Sequence, residues 1–408
     1  MIPFEEALAT VLRETPLVSE EAVALADAAG RVLREDGRAD ADLPPFDRAA
    51  MDGYALRVED ARETPIRLRV AGELRAGGWP QRALGPGQAW RVMTGAPVPE
   101  GATAVQQVEK TRLAGDEVEI LAPVEPGANV ARRGSEVAAG AIVLTRGSVI
   151  DAAAVAVLAA VGRSRPLVAR RPRLALLVTG DELVAVDEVP APGRIRNSNG
   201  PALAALARAA GADVSLLGVA PDRMEALAAA IARAPGADLL VVSGGVSAGD
   251  YDLVEPALQQ AGFRPFFTGV AIRPGSPLVF GRVSAQLVFG LPGNPVSAQV
   301  TFELFVRPCL RRMQGARSLS RPRVPVELAS VARNRSGRTS HLPARVSWRD
   351  GRLVAELVRS AGSADLVAHA RANALVVLEA GRSEAAAGES TSALLLSSYL
   401  EEDDGATF

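Results

Sequence analysis

The sequence predicts a mixed α/β multidomain chain organised around a doubly wound parallel sheet. Two continuous apolar runs, Leu174–Val178 and Leu239–Val242, end in polar or glycine-rich turns and are followed by helical patterns. Strands without alternation must be buried on both faces, as in a parallel sheet covered by helices. On either side of this region the texture changes to short β-rich runs broken by Gly/Pro turns. A length of 408 residues accommodates several such units.

The elements follow in chain order. Pro3 precedes Phe4, Leu8, Val11 and Leu12, the spacing of one apolar helix face. Runs at Ile66–Val70, Thr103–Val108 and Glu117–Leu121 alternate with turns such as Gly85-Pro86-Gly87 and predict a small inserted β domain. The alanine-rich stretch Asp151–Val161 predicts a helix returning to the first domain. From Leu174 the pattern is strand, helix Pro201–Ala210, strand Val214–Leu217, helix Asp222–Ala234 with Asp222 as its cap, strand Leu239–Val242, helix Asp252–Gln260, strand Leu287–Phe289, then a helix to about Met313. Beyond Arg321, runs at Val324–Leu328, Ala344–Trp348, Leu353–Leu357 and Ala374–Leu378 predict a terminal β-barrel-like domain. The expected units are a helical one from 1–44 and 138–172, an inserted β domain at 45–137, the α/β domain at 173–320 and a β domain at 321–408.

Composition narrows the function. Net charge is −2, without the basic footprint of a nucleic-acid binder. No apolar run approaches the roughly 18 residues that span a bilayer, and the acidic start with Glu5 and Glu6 lacks a signal peptide's basic region. A cytoplasmic protein without membrane association is expected. One cysteine, Cys309, permits neither an intramolecular disulfide nor a thiolate zinc site and reads as a core residue beside Val306 and Leu310. Two histidines, His341 and His369, argue against histidine-based metal chemistry, so any metal should be a hard cation on carboxylates. His341 reads as a packing or surface residue. Lys110 is the single lysine among 45 basic residues, so arginine replaces lysine almost throughout.

Ligands of open parallel sheets sit at the carboxyl ends of the strands. Three turns fall at such ends: Thr179-Gly180-Asp181-Glu182, Gly244-Gly245-Val246-Ser247-Ala248-Gly249-Asp250, and Pro292-Gly293-Asn294-Pro295. Glycines let the backbone approach a ligand, and free N–H groups at helix starts attract phosphate. The carboxylates of Asp181, Glu182, Asp250 and Asp252 would converge there and call for a cation such as Mg²⁺ bridging phosphate oxygens. Two further compact stretches, Asp42–Ala55 and Met93–Pro97, lie in or beside the inserted domain; each could be no more than a proline-stiffened linker or turn.

Four stretches together resemble the signatures of the molybdopterin molybdenumtransferase family, MoeA in bacteria and the E domain of gephyrin in animals. They are Pro45-Phe-Asp-Arg-Ala-Ala-Met51-Asp52-Gly53-Tyr54-Ala55, Met93-Thr94-Gly95-Ala96-Pro97-Val98-Pro99, Gly244-Gly245-Val246-Ser247 and Leu291-Pro292-Gly293-Asn294-Pro295-Val296-Ser297. The resemblance implies four domains, with the α/β domain binding molybdopterin, and a homodimer with shared active sites. It implies insertion of molybdenum from molybdate into adenylylated molybdopterin, with release of AMP and use of Mg²⁺. Asp52 and Thr94 match functional positions of the inserted domain. Glu182, Asp222 and one of Asp250 or Asp252 match acidic positions that hold Mg²⁺ and the substrate. Thr179, Gly180, Gly244, Gly245, Ser247, Pro292, Asn294, Pro295 and Ser297 fall in the implied binding turns. The run Ile272-Arg273-Pro274-Gly275-Ser276-Pro277 stands where the family reads Ile-Lys-Pro-Gly-Lys-Pro, with two lysines at molybdate. Arg273 keeps one positive charge; Ser276 does not, so Ser276→Lys is expected to strengthen molybdate use. Arg338 and Ser363 match segments near the oxyanion.

The partners implied are small-molecule substrates, the molybdopterin adenylyltransferase and molybdoenzyme apo-proteins. Two other readings fit the three rim turns alone. One is a molybdopterin adenylyltransferase, the other a non-enzymatic molybdopterin carrier or scaffold.

Overall fold

The computed structural model describes residues 1–234, 236–245, 253–397 and 400–402. The first helix, α1 (Phe4–Glu14), starts after Pro3 and carries Glu5 and Glu6 in its first turn, where acids suit the helix dipole. Its buried Ala7 and Val11 join the core beneath one face of the large sheet, against the helix at Arg307–Met313, a core that also takes in Ala169 from residues 138–172. Amphipathic spacing reveals that a helix buries one face, not what covers it.

Residues 20–38 and 142–169 form a small unit of short strand pairs, Glu20–Ala22 with Leu167–Ala169 and Gly37–Arg38 with Ile142–Leu144. Its helix, α2 (Ala152–Ala160), is capped by Asp151, whose carboxylate accepts from Ala154 N at 2.8 Å. Ile150, Leu158, Leu33 and Val168 make its separate core. The inserted domain is a six-stranded, mostly antiparallel sheet running from Gly53–Leu56 to Glu117–Ile120, with a core on each face.

The large sheet orders its strands Asp213–Ala220, Arg173–Thr179, Leu239–Ser243, Gln286–Leu291, Val279–Val283 and Phe263–Thr268. The first four run parallel; the last two are antiparallel. The expected parallel sheet thus ends in an antiparallel edge, formed by segments whose apolar residues are interrupted irregularly by Arg264, Pro265 and Arg282 and so read weakly as strand. Helices α3 (Asn199–Ala209), α4 (Met224–Ile231), α5 (Val254–Gln260), α6 (Pro295–Thr301) and α7 (Arg307–Met313) cover both faces: α3, α6 and α7 one, α4 and α5 the other. A π turn over Phe302–Val306 joins α6 to α7 into the single long helix expected. Cys309 lies fully buried there, and burial pushes its thiol up to about 12, beyond any reactive range.

In the C-terminal region five strands close on themselves: Thr339–Arg349, Arg352–Leu357, Arg323–Leu328, Ser390–Leu395 and Ala374–Leu378, which pairs back to the first. Closure removes exposed edges. Ile272–Arg273 from the α/β region pairs in parallel with Thr339–Ser340, so the loop carrying Arg273 is anchored to the barrel.

Candidate active site at the sheet–barrel junction

The three rim turns meet. Gly244 adopts φ +105°, and a Cβ there would lie 2.4 Å from the Thr179 carbonyl oxygen, so only glycine lets these turns touch. A Cβ on Gly293 would meet Gly244 Cα at 3.6 Å, and Gly244 N donates to Leu291 O at 3.1 Å. Thr179, Gly180, Glu182, Asp222, Gly244, Gly245, Asn294 and Pro295 line one cavity of about 700 Å³.

Asp222 does not cap α4: Arg223 occupies the cap position, without a side-chain bond. Its carboxylate instead accepts from the Thr179 hydroxyl and, at 3.3 Å, from Asp181 N, while Asp222 N donates to Asp181 Oδ1 at 3.2 Å. The two loops are tied across the strand ends, because the better donors lie on the neighbouring strand's turn. Glu182 is exposed, and its carboxylate has neither hydrogen bond nor ion pair among the described residues. Ser247, Asp250 and Asp252 lie outside the described residues.

A second cavity, of about 550 Å³, opens between the sheet domain and the barrel. Pro292, Asn294 and Ser297 line it from one side, Arg273 and Ser276 from the anchored loop, and Arg338 and Ser363 from the barrel. Asn294 borders both cavities, and its Nδ2 donates to Ser363 Oγ at 3.0 Å. The α6 start is less open to anions than its turn suggests. Pro295 has no N–H, and Val296 N donates to Ser363 O at 3.0 Å.

The contact at Ser276 changes the sequence reading. Its hydroxyl donates to Ile272 O at 2.7 Å and accepts from the Arg338 guanidinium, a residue 62 positions away. A cation therefore stands where Ser276 has none, and Ser276→Lys would set an ammonium against Arg338. Against the expectation that lysine would strengthen this site stands the guanidinium already in place.

Asp52 and Thr94 pair with each other. Asp52 Oδ1 accepts from both Thr94 N and Thr94 Oγ1 at 2.7 Å, which holds the exposed carboxyl below its usual range. Neither residue lines either cavity of its own chain.

Several polar lining residues escaped sequence reasoning. Asn199 Nδ2 bridges Ser243 Oγ at 3.0 Å and Gly293 O at 2.8 Å, locking two rim turns together. Its signal was the polar run Arg196-Asn197-Ser198-Asn199 ahead of the apolar part of α3. Arg333 and Arg335 join Arg338 in the second cavity, an arginine cluster visible in sequence once its loop is placed there. His341 is 4% exposed and His369 partly buried; both line this cavity, and neither Nδ1 has a partner among the described residues. Burial holds His341 down at about 4.

With this geometry in place, comparison with known proteins decides the family. Residues 2–162 match the MoeA N-terminal region (domain I and II), 175–312 a probable molybdopterin binding domain, and 325–396 the MoeA C-terminal region (domain IV). A molybdopterin molybdenumtransferase of Nostoc sp. is 38% identical over 92% of this chain and 88% of its own length. The chain belongs to the MoeA family. Within it, the enzyme of the same name from Bacillus subtilis is 34% identical over 97% of this chain and 94% of its own length. The solved MoeA structure from Pyrococcus horikoshii OT3 superposes with a TM-score of 0.85 at 31% identity, covering 97% of this chain and all of that one. The family's mixed α/β multidomain architecture is the one described above.

Proposed function

We propose that this chain is a molybdopterin molybdenumtransferase, an enzyme of molybdenum cofactor biosynthesis that inserts molybdenum from molybdate into adenylylated molybdopterin and releases AMP. The observation that carries this reading is the junction at Asn294 of two chemically different cavities, one walled by glycine backbone and carboxylates, the other by guanidiniums and hydroxyls. Two anionic reactants placed side by side repel each other, and a site that joins them must supply positive charge and fixed geometry.

In this reading Thr179, Gly180, Gly244, Gly245 and Pro295 hold the adenylylated pterin in the first cavity. Arg273, Arg338 and Ser297, with Ser363, hold molybdate in the second, and Ser276 lines it while accepting from Arg338. Asn294 borders both. The guanidiniums offset the molybdate dianion next to the phosphate, and no covalent nucleophile is needed. Glu182 and Asp222 would hold Mg²⁺. They fit it through their free or shared carboxylate oxygens, but no group of three possible protein ligands occurs among the described residues, so phosphate oxygens would complete the coordination. When bound, the ion would supply charge neutralisation at the adenylyl phosphate.

The Asp52–Thr94 pair would serve the site of a partner subunit in a homodimer. Two features support this. The pair is exposed and lies away from both cavities of its own chain. The edge strand Asp213–Ala220 exposes Leu216 by 55% and Val219 by 41%, apolar surface at a sheet edge with no further strand partner among the described residues. Expected protein partners remain the molybdopterin adenylyltransferase and recipient apo-enzymes in the cytoplasm. No helix among the described residues is long and apolar enough to cross a membrane.

Supplying ATP and molybdopterin without molybdate separates this reading from adenylyl transfer. No adenylylated product is expected, and its accumulation would overturn the proposal. A carrier would bind adenylylated molybdopterin and never release AMP.

A further inference from the structure

Away from this site a third cavity, of about 360 Å³, lies where α3, α7 and the segment leading into the barrel meet, and five arginines line it: Arg171, Arg208, Arg307, Arg311 and Arg321. Charge around it is unbalanced. Buried Glu303 accepts from Arg307 and from Arg321, and these two cations outweigh the upward push of burial to hold its carboxyl below the usual range. That carboxylate is thereby saturated. Arg171, Arg208 and Arg311 have no carboxylate partner among the described residues.

Arg311 is the most costly of the three. It follows Arg307 by one turn on α7, a like-charge spacing that destabilises a helix. Among the described residues its guanidinium makes one hydrogen bond, a long one of 3.4 Å to the Ser318 carbonyl. Burial first, then the charge of Arg307, pull its guanidinium below the ordinary arginine range. A cation removed from water without a counter-charge is unfavourable unless something compensates it. The C-terminal turns of α3 and α7 do favour cations. That dipole is equally served by the exposed Arg312, however, and gives no reason for three unpaired guanidiniums to face one cavity.

The frame is rigid. Gln314 Nε2 donates to Ala210 O at 2.8 Å and to Leu310 O at 2.9 Å, clamping the end of α3 to α7. Gly211, at φ +92°, leaves no room for a side chain, since a Cβ would lie 2.6 Å from Gln314 Oε1. The hydroxyls of Ser318 and Ser320 line the same cavity and make no hydrogen bond to protein among the described residues. Guanidinium forks with nearby hydroxyls suit a tetrahedral oxyanion. Among the described residues no aromatic side chain lines the cavity to stack a base.

We propose that this cavity is a second oxyanion site, taking a phosphate group either as the free ion or as a small non-aromatic phosphate ester. It is independent of the reading of the active site. The test is calorimetric titration of the full chain with inorganic phosphate and with glycerol phosphate at low ionic strength. It compares the wild type, Arg208→Gln/Arg311→Gln and Arg338→Ala, with melting temperatures as the folding control. Binding should persist in Arg338→Ala and weaken by roughly tenfold or more in the double variant, which loses two charge-assisted contacts. Equal affinity for the two probes assigns the free ion, and tighter glycerol phosphate binding assigns an ester; either supports the site. If the double variant does not fold, Arg171→Gln/Arg208→Gln carries the same expectation without touching α7. Absence of phosphate binding in the wild type, or binding lost with Arg338→Ala and untouched by both double variants, would overturn the proposal.

Discussion

Removing the Arg338 guanidinium should raise the molybdate concentration needed for half-maximal turnover while leaving turnover at saturation nearly unchanged. Arg338 reaches across from the barrel to Ser276, whose own proton is committed to Ile272 O at 2.7 Å. The hydroxyl therefore offers little to an oxyanion, and the guanidinium provides the charge. A charge-assisted hydrogen bond to an ionised group is worth about 1.5–3 kcal/mol, which corresponds to a shift of roughly tenfold to 150-fold. Arg338 is only half-buried and Arg273 shares the cavity, so a value near tenfold is expected. The assay is AMP release from adenylylated molybdopterin over a series of molybdate concentrations with Arg338→Ala. The reciprocal variant sharpens it. Ser276→Lys should weaken molybdate use when Arg338 is present and partly restore it when Arg338 is alanine. An unchanged saturation curve for Arg338→Ala, or improved molybdate use by Ser276→Lys alone, would refute the reasoning.

Other expectations follow from the same geometry. Glu182→Gln should shift the Mg²⁺ dependence of AMP release and change stability by no more than about 0.5 kcal/mol, because the side chain is exposed and its carboxylate has no hydrogen bond or ion pair among the described residues; a large fall in melting temperature would mark it as structural. Gly244→Ala should cost about 1–3 kcal/mol in denaturant unfolding, since φ +105° and the Thr179 carbonyl oppose any Cβ; wild-type stability would contradict the packed-turn description. Folded His341 stays neutral down to about pH 4, whereas an unfolded chain takes up the proton near 6.5. Its contribution is thus complete above about pH 6.5 and falls away toward pH 4, a loss of about 3 kcal/mol. Melting curves of His341→Phe should show a shallower acid slope, and an unaltered slope would mean that other groups set it. Mixed Asp52→Ala and Asp222→Ala subunits should recover about a quarter of wild-type activity if sites are shared, because random pairing makes about half the dimers mixed, with one intact site in each; if mixed dimers form and stay inactive, sharing fails.

How much of this was legible in the sequence depended on how local each signal was. Leu239–Val242 and Ala374–Leu378 are unbroken apolar runs, and they lie in the strands Leu239–Ser243 and Ala374–Leu378. The three rim turns could be placed together because strand ends of a parallel sheet share one rim, and the Gly244–Thr179 approach is the result. The antiparallel edge strand Phe263–Thr268 mixes arginine and proline with phenylalanine and gave no period. Asp222 looked like a cap because capping is a local rule, but its nearest good donors, the Thr179 hydroxyl and Asp181 N, come from a strand 43 and 41 residues away. The Arg338–Ser276 contact joins two domains and depends on the Ile272–Thr339 pairing, which no single segment encodes. Resemblance identified what Ser276 lacked; only the folded chain reveals what stands beside it.

The most direct measurement is AMP release on mixing the purified chain with adenylylated molybdopterin and Mg²⁺, with and without molybdate. Molybdenum insertion requires release to depend on molybdate and to match the molybdenum incorporated into the pterin one for one. AMP released equally without molybdate, or molybdenum bound with no AMP released, would contradict it.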